Sequence, residues 1–177
     1  MGQVSHKREK ATMTSLVPIV RNATEGDKQS FAGGGLHTWK LLAEEAGDAF
    51  FLFEDTMVKD KTTPLHVHPE AHEMTYVVEG EIEIQADGNR SRVRSGGMSF
   101  VPKGIAHAFI VVSNEARLVT IQSPGGVGQA FYRGASEPAV DDQADSVDLA
   151  RLQASAAANP RGITILGPPP FATAAAR

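Results

Sequence analysis

The 177-residue chain has no cysteine. That excludes disulfide staples, thiolate metal sites and cysteine nucleophiles, so any metal must be held by nitrogen and oxygen. The lack of disulfides suits a reducing compartment, and a cytoplasmic location is expected. Neither sign of charge dominates: 17 Lys and Arg stand against 21 Asp and Glu, for a net charge of -4. The one basic cluster, His6 to Lys10, lies in a short polar segment, so no nucleic-acid partner is expected. No apolar run approaches the roughly 20 residues of a membrane span, and no membrane partner is expected. The basic N-terminus lacks the apolar core of a secretion signal. There is no phosphate loop ending in Gly-Lys-Ser/Thr. There is no Gly-x-Ser-x-Gly elbow either, since Gly97-Met-Ser-Phe-Val fails at its last position.

What is present divides into three parts. Residues 1–35 read as a polar, partly flexible arm, with Gly33-Gly34-Gly35 as a loose link. Met13 is a candidate start, which would make residues 1–12 a leader. Residues 36–133 are dense in short apolar runs and read as β. Ala49 to Val58 is rich in aromatic and β-branched residues. Glu81-Ile-Glu-Ile-Gln alternates with period two. Asp87-Gly88 is a favoured hairpin turn, with Arg90 to Arg94 as the return strand. Many short strands at close spacing indicate a barrel or sandwich.

Residues 134–177 are poor in aromatics and rich in alanine and proline. They hold the single helix expected in the chain, capped by Asp145 or Ser146, begun by Val147 and Leu149, and stopped at Asn159-Pro160. Ile163 to Leu166 reads as an extended tail packed on the barrel. One domain suits this length.

Three of the six histidines, His66, His68 and His72, fall within seven residues and beside Glu73. Residues two apart on a strand point to one face, so His66 and His68 would converge if that face is interior. Glu73 would add a carboxylate, and His107 would join only if the fold brings it near. On residue types alone, surface or hydrogen-bonded core histidines are the commoner reading.

The segment His66-Val-His68-Pro-Glu-Ala-His-Glu73, six further residues and Gly80 resembles the first motif of the cupin superfamily. Gly96, five residues, Pro102-Lys-Gly104-Ile-Ala-His107 resembles the second. Two positions depart from the pattern: Asp60 stands where a glycine is expected, and Val111 where an asparagine is. The stretch from Ser123 to Arg133, and Ile165-Leu-Gly-Pro-Pro, resemble the tail of bacterial single-domain cupins related to quercetin dioxygenases.

The resemblance implies an all-β, double-stranded β-helix (jelly-roll) barrel with a short C-terminal helix. It implies one divalent ion (Fe, Mn, Ni, Co or Zn) on His66, His68, Glu73 and His107. Glu73 would double as a catalytic base, and His72 would lie on the surface or behind the ligands. The implied activity is a metal-dependent dioxygenase acting on a small aromatic, enol or flavonol-like molecule. A metal-assisted lyase or isomerase, or a non-enzymatic small-molecule binder, are the alternatives. A homodimer is expected, which would cover open sheet edges. Strand alternation puts Thr75 and Val77 on the face of Glu73, and Phe109 and Val111 on that of His107. With Phe51 or Phe53 they would line the substrate pocket. Met74, Tyr76, Met98, Phe100 and Trp39 are expected in core or interface packing.

Overall fold

A computed structural model describes residues 16–140 and 147–171. Twelve strands form two antiparallel sheets. The first contains β1 (Asp27–Phe31), β2 (Gly35–Leu41), β3 (Phe51–Val58), β5 (His72–Glu79), β8 (Met98–Val101), β10 (Glu115–Ser123) and β11 (Ser136–Pro138), in the order β11-β1-β2-β3-β10-β5-β8. The second contains β4 (Leu65–Val67), β6 (Glu81–Ala86), β7 (Asn89–Arg94), β9 (His107–Val111) and β12 (Thr164–Gly167), in the order β12-β4-β9-β6-β7. The two sheets form a jelly-roll barrel, as expected. Among the described residues, no helix is long and apolar enough to cross a membrane.

Local chemistry accounts for most of the strands. In β3, Phe51, Phe53, Asp55 and Met57 are buried in strict alternation, the pattern of a strand with one face on a core. Asp87 and Gly88 have φ of 50° and 76°. Both positions of a type I′ hairpin turn require positive φ, and this turn sets the β6–β7 register. Asp60, where the family pattern has glycine, also adopts a positive φ of 66°. A short polar side chain tolerates that conformation better than most, so the departure keeps the turn.

Three expectations need correction. The triple glycine is not a loose link: Phe31 pairs with Gly35 across a tight hairpin, and β1 adds to the first sheet. A second helix exists, α1 (Gly125–Gly134), ahead of α2 (Leu149–Ala158). Glycine costs about 1 kcal/mol per helical position relative to alanine, so Pro124-Gly-Gly reads locally as punctuation. Tertiary packing overrides that preference. A Cβ at Gly125 would stand 2.5 Å from the backbone of Phe50, and one at Gly128 would strike the Gln122 side-chain oxygen. Lastly, Met74, expected in the core, is half-buried, and Tyr76, Met98 and Phe100 are exposed on β5 and β8, which leaves interface packing, the other half of that expectation, open to them. Trp39 is core.

Asp145 and Ser146 lie outside the described residues, as do Met13 and the leader. Within them, Asp148 caps α2, its side chain accepting from the Arg151 N–H at 3.0 Å.

Two clusters fill the barrel. Phe31, Trp39, Phe51, Phe53, Phe131 and Tyr132 form an aromatic one, joined by Leu152 of α2. Met57, Val77, Ile82, Val111 and Leu118 form the other. Phe51 is fully buried and touches Trp39, Phe53 and Tyr132 at ring-centroid distances of 5.4, 5.9 and 5.7 Å. Phe51→Ala is therefore expected to cost about 3–5 kcal/mol. Thermal unfolding checks this, with an expected fall in Tm of roughly 10 °C.

Candidate metal centre

The two sheets bring three distant segments together. His66 of β4 pairs directly with His107 of β9. His68 follows β4, and Glu73 enters from β5 in the opposite sheet. All four side chains are buried. One nitrogen from each of His66, His68 and His107 lies within 4.8 Å of the others.

Each imidazole is aimed by a backbone carbonyl. His66 Nδ1 donates to Pro64 O at 2.8 Å, His68 Nδ1 to Gly162 O at 2.7 Å, and His107 Nδ1 to Ile105 O at 3.0 Å. A carbonyl only accepts, so Nδ1 carries the hydrogen in all three rings. That turns the three Nε2 lone pairs away from those carbonyls; the one on His68 accepts from the Gln122 amide at 3.0 Å, and the one on His107 has no hydrogen-bond partner. Outer hydrogen bonds of this kind fix the tautomer and orientation of metal-binding histidines.

The Glu73 carboxylate lies close to two of the three rings. Its Oε2 accepts from Gln122 Nε2 at 2.8 Å and from the Tyr132 hydroxyl at 3.2 Å, and lies 3.1 Å from His68 Nε2. Its Oε1 is 3.4 Å from His107 Nε2. That approach is a charge contact rather than a hydrogen bond, because His107 Nε2 has no hydrogen-bond partner. Buried lone pairs and a carboxylate thus converge, met on one side by the Gln122 amide and the Tyr132 hydroxyl and unpartnered at His107 Nε2. A divalent cation would satisfy that arrangement, so the residues present fit a metal ion.

The electrostatics agree. Burial lowers His66 to about 3, with help from His107 and His68, so its ring is neutral at physiological pH. Burial pushes Glu73 up, but the adjacent His68 and His107 outweigh it and hold the carboxylate well below its ordinary range. Burial alone would lower His107, yet the Glu73 carboxylate reverses this and raises it above 6.5. Burial, together with the Glu73 charge and hydrogen bond, raises the Tyr132 phenol well above its ordinary value, so it stays a donor.

Beside the trio lies a cavity of about 250 Å³ that reaches His66. Its wall includes Phe31, Met57, Phe131, Leu152 and Ile163, with Val147 and Leu149 on the solvent side. The six residues expected to line a pocket lie elsewhere. Phe51 and Phe53, both buried, belong to the aromatic cluster. Val77 and Val111 belong to the second cluster, Phe109 packs against it, and Thr75 is buried on β5. The wall comes instead from α1, α2 and the C-terminal segment together with Phe31, Met57 and the Thr62 to Pro64 approach to β4. His72 lies outside the trio: its Nδ1 accepts from the Lys103 N–H at 3.2 Å, and its ring stacks on Phe100.

Sequence reasoning missed Gln122 and Tyr132. Alternation along β10 buries Ala116, Leu118, Thr120 and Gln122, and that period was available to find Gln122. Tyr132 was hidden because its helix was. His37 and Asp55, a buried cross-strand pair 3.3 Å apart, carried no signal.

A family profile described as "Cupin domain" matches residues 53–122. Residues 53–122 thus carry a cupin domain. The chain is 30% identical over 115 residues to quercetin 2,3-dioxygenase of Bacillus subtilis, covering 65% of the chain but 34% of that protein. It thus spans about a third of the dioxygenase's length. It is also 29% identical over 113 residues to polyketide synthase CurC of Streptomyces cyaneus, covering 63% of the chain and 73% of that protein. Among solved structures, KdgF from Halomonas sp. superposes with a TM-score of 0.56 at 17% identity, covering 61% of this chain and 94% of that one. That likeness speaks for the fold.

Proposed function

We propose that this cupin is a metal-dependent dioxygenase acting on a small aromatic or enol substrate, with His66, His68 and His107 as ligands. The observation that carries the reading is the convergence of three carbonyl-aimed imidazoles, one of which, His66, lines an apolar cavity. Likeness to the Bacillus quercetin 2,3-dioxygenase supports it. A bound divalent ion would polarise a substrate oxygen and, if redox-active, offer a place for O2.

The chain's own residues supply the rest. Glu73, ionised at neutral pH, is placed to take a proton from a substrate hydroxyl. Gln122 and Tyr132 hold its Oε2, which leaves Oε1 as the freer oxygen. The apolar wall keeps water from the site. Oxygen uptake by iron-, manganese-, nickel- or cobalt-loaded protein with enols and catechols tests the reading. Uptake that requires both metal and substrate is expected. Turnover of such substrates without oxygen consumption would move the assignment to a lyase or isomerase, and binding without turnover to a non-enzymatic binder.

Metal affinity should depend on pH through His107. A ligand imidazole must be neutral, and this one is raised above 6.5 by Glu73. Protons therefore compete for it as pH falls through neutrality, while His66, at about 3, adds nothing in that range. Zinc titrations should show affinity dropping roughly tenfold per pH unit on the acid side.

A homodimer belongs to the same proposal. Tyr76, Met98 and Phe100, exposed together on β5 and the edge strand β8, support it. Light scattering at twice the chain mass is the expected result.

A further inference from the structure

We propose that the cavity selects uncharged molecules that are polar at one end only: an apolar ring or chain carrying adjacent oxygens at the end that meets His66. For that polar end alone, the inference rests on the metal-centre reading above. It narrows the substrate class and sets polyhydroxylated flavonols aside.

The polar groups of the wall carry the argument. Among the described residues that line the cavity there is no Lys, Arg, Asp or Glu. The polar side chains are Thr62, Thr63, Tyr132 and His66. Three of these already bond within the protein. Thr62 Oγ1 donates to Phe109 O at 2.9 Å, Thr63 Oγ1 accepts from the Phe109 N–H at 3.0 Å, and the Tyr132 hydroxyl donates to Glu73 at 3.2 Å. Among them His66 alone belongs to the group that would hold the ion. A ligand hydroxyl set against the apolar side chains of the wall loses its water without gaining a partner, which weakens binding at least roughly tenfold. A carboxylate set there fares worse, because no Lys or Arg faces it. A flavonol, with hydroxyls at both ends, cannot put them all at His66.

Size agrees. An apolar cavity of roughly 150 Å³ holds benzene. The 250 Å³ here suits one substituted ring or a fused pair.

The test is calorimetric binding to tag-free, zinc-loaded protein, zinc being redox-silent so that no turnover intervenes. The probes are methyl-, ethyl- and butylcatechol, each alkylated para to a hydroxyl, and protocatechuate, which carries a carboxylate at that position. Affinity should rise roughly fourfold per added methylene, and protocatechuate should bind at least roughly tenfold more weakly than methylcatechol. Leu149→Arg, on the exposed rim and outside the buried core, should tighten protocatechuate roughly threefold. A flat alkyl series, or protocatechuate binding as tightly as methylcatechol, overturns the proposal. Butylbenzene and metal-free protein separate the two readings. If the alkyl slope persists there and the catechols gain nothing from zinc, apolar selection stands and the metal-centre reading falls.

Discussion

The double substitution His66→Ala/His68→Ala should abolish metal retention. Both imidazoles are buried, aimed by carbonyls and grouped with His107. Apparent binding energies of about 10–16 kcal/mol for a four-ligand zinc site share out at about 3 kcal/mol per ligand. That is roughly 100-fold per imidazole, or roughly 10⁴-fold for the pair. Competition titrations of cobalt or zinc against a chelator measure the difference. The fold should survive, because neither ring is a member of the aromatic cluster or of the second cluster. Circular dichroism matching that of the unmodified protein checks this. Unchanged affinity in a folded double variant would place the metal elsewhere.

Glu73→Gln should lower the rate of any substrate-dependent oxygen uptake by about 10²–10⁴-fold, the usual contribution of a positioned general base. The substitution keeps shape and still offers an oxygen to Gln122 and Tyr132, but it cannot accept a proton. Three imidazoles remain to hold the ion, so the variant should keep it while losing rate. Loss of both would make Glu73 a ligand. Full activity would remove it from the chemistry.

Much of the barrel was legible because its signals are local. The period of two in β3 and β6, the Asp87-Gly88 turn and the paired motifs each act over a few residues. Asp60 shows the same logic: the pattern departs, but the residue present still adopts the positive φ the turn needs. What was missed depends on distant contacts. Nothing local in Gly125 to Gly134 favours a helix; contacts with Phe50 and Gln122 impose it. Tyr132 travels with that helix to Glu73, across 59 residues of sequence. The cavity wall was misplaced for the same reason. Alternation tells which strand residues face inward, but not that α1, α2 and the C-terminal segment close over His66. Gly162, whose carbonyl aims His68 from 94 residues away, has no mark in the sequence at all.

The central claim is that His66, His68 and His107 form a centre for one divalent ion. The measurement that tests it most directly is elemental analysis of tag-free protein, loaded with nickel, cobalt, manganese, iron or zinc and passed through gel filtration. About one ion retained per chain is the result this account predicts. Protein that retains none of these metals after loading at pH 8, while still folded, would contradict it.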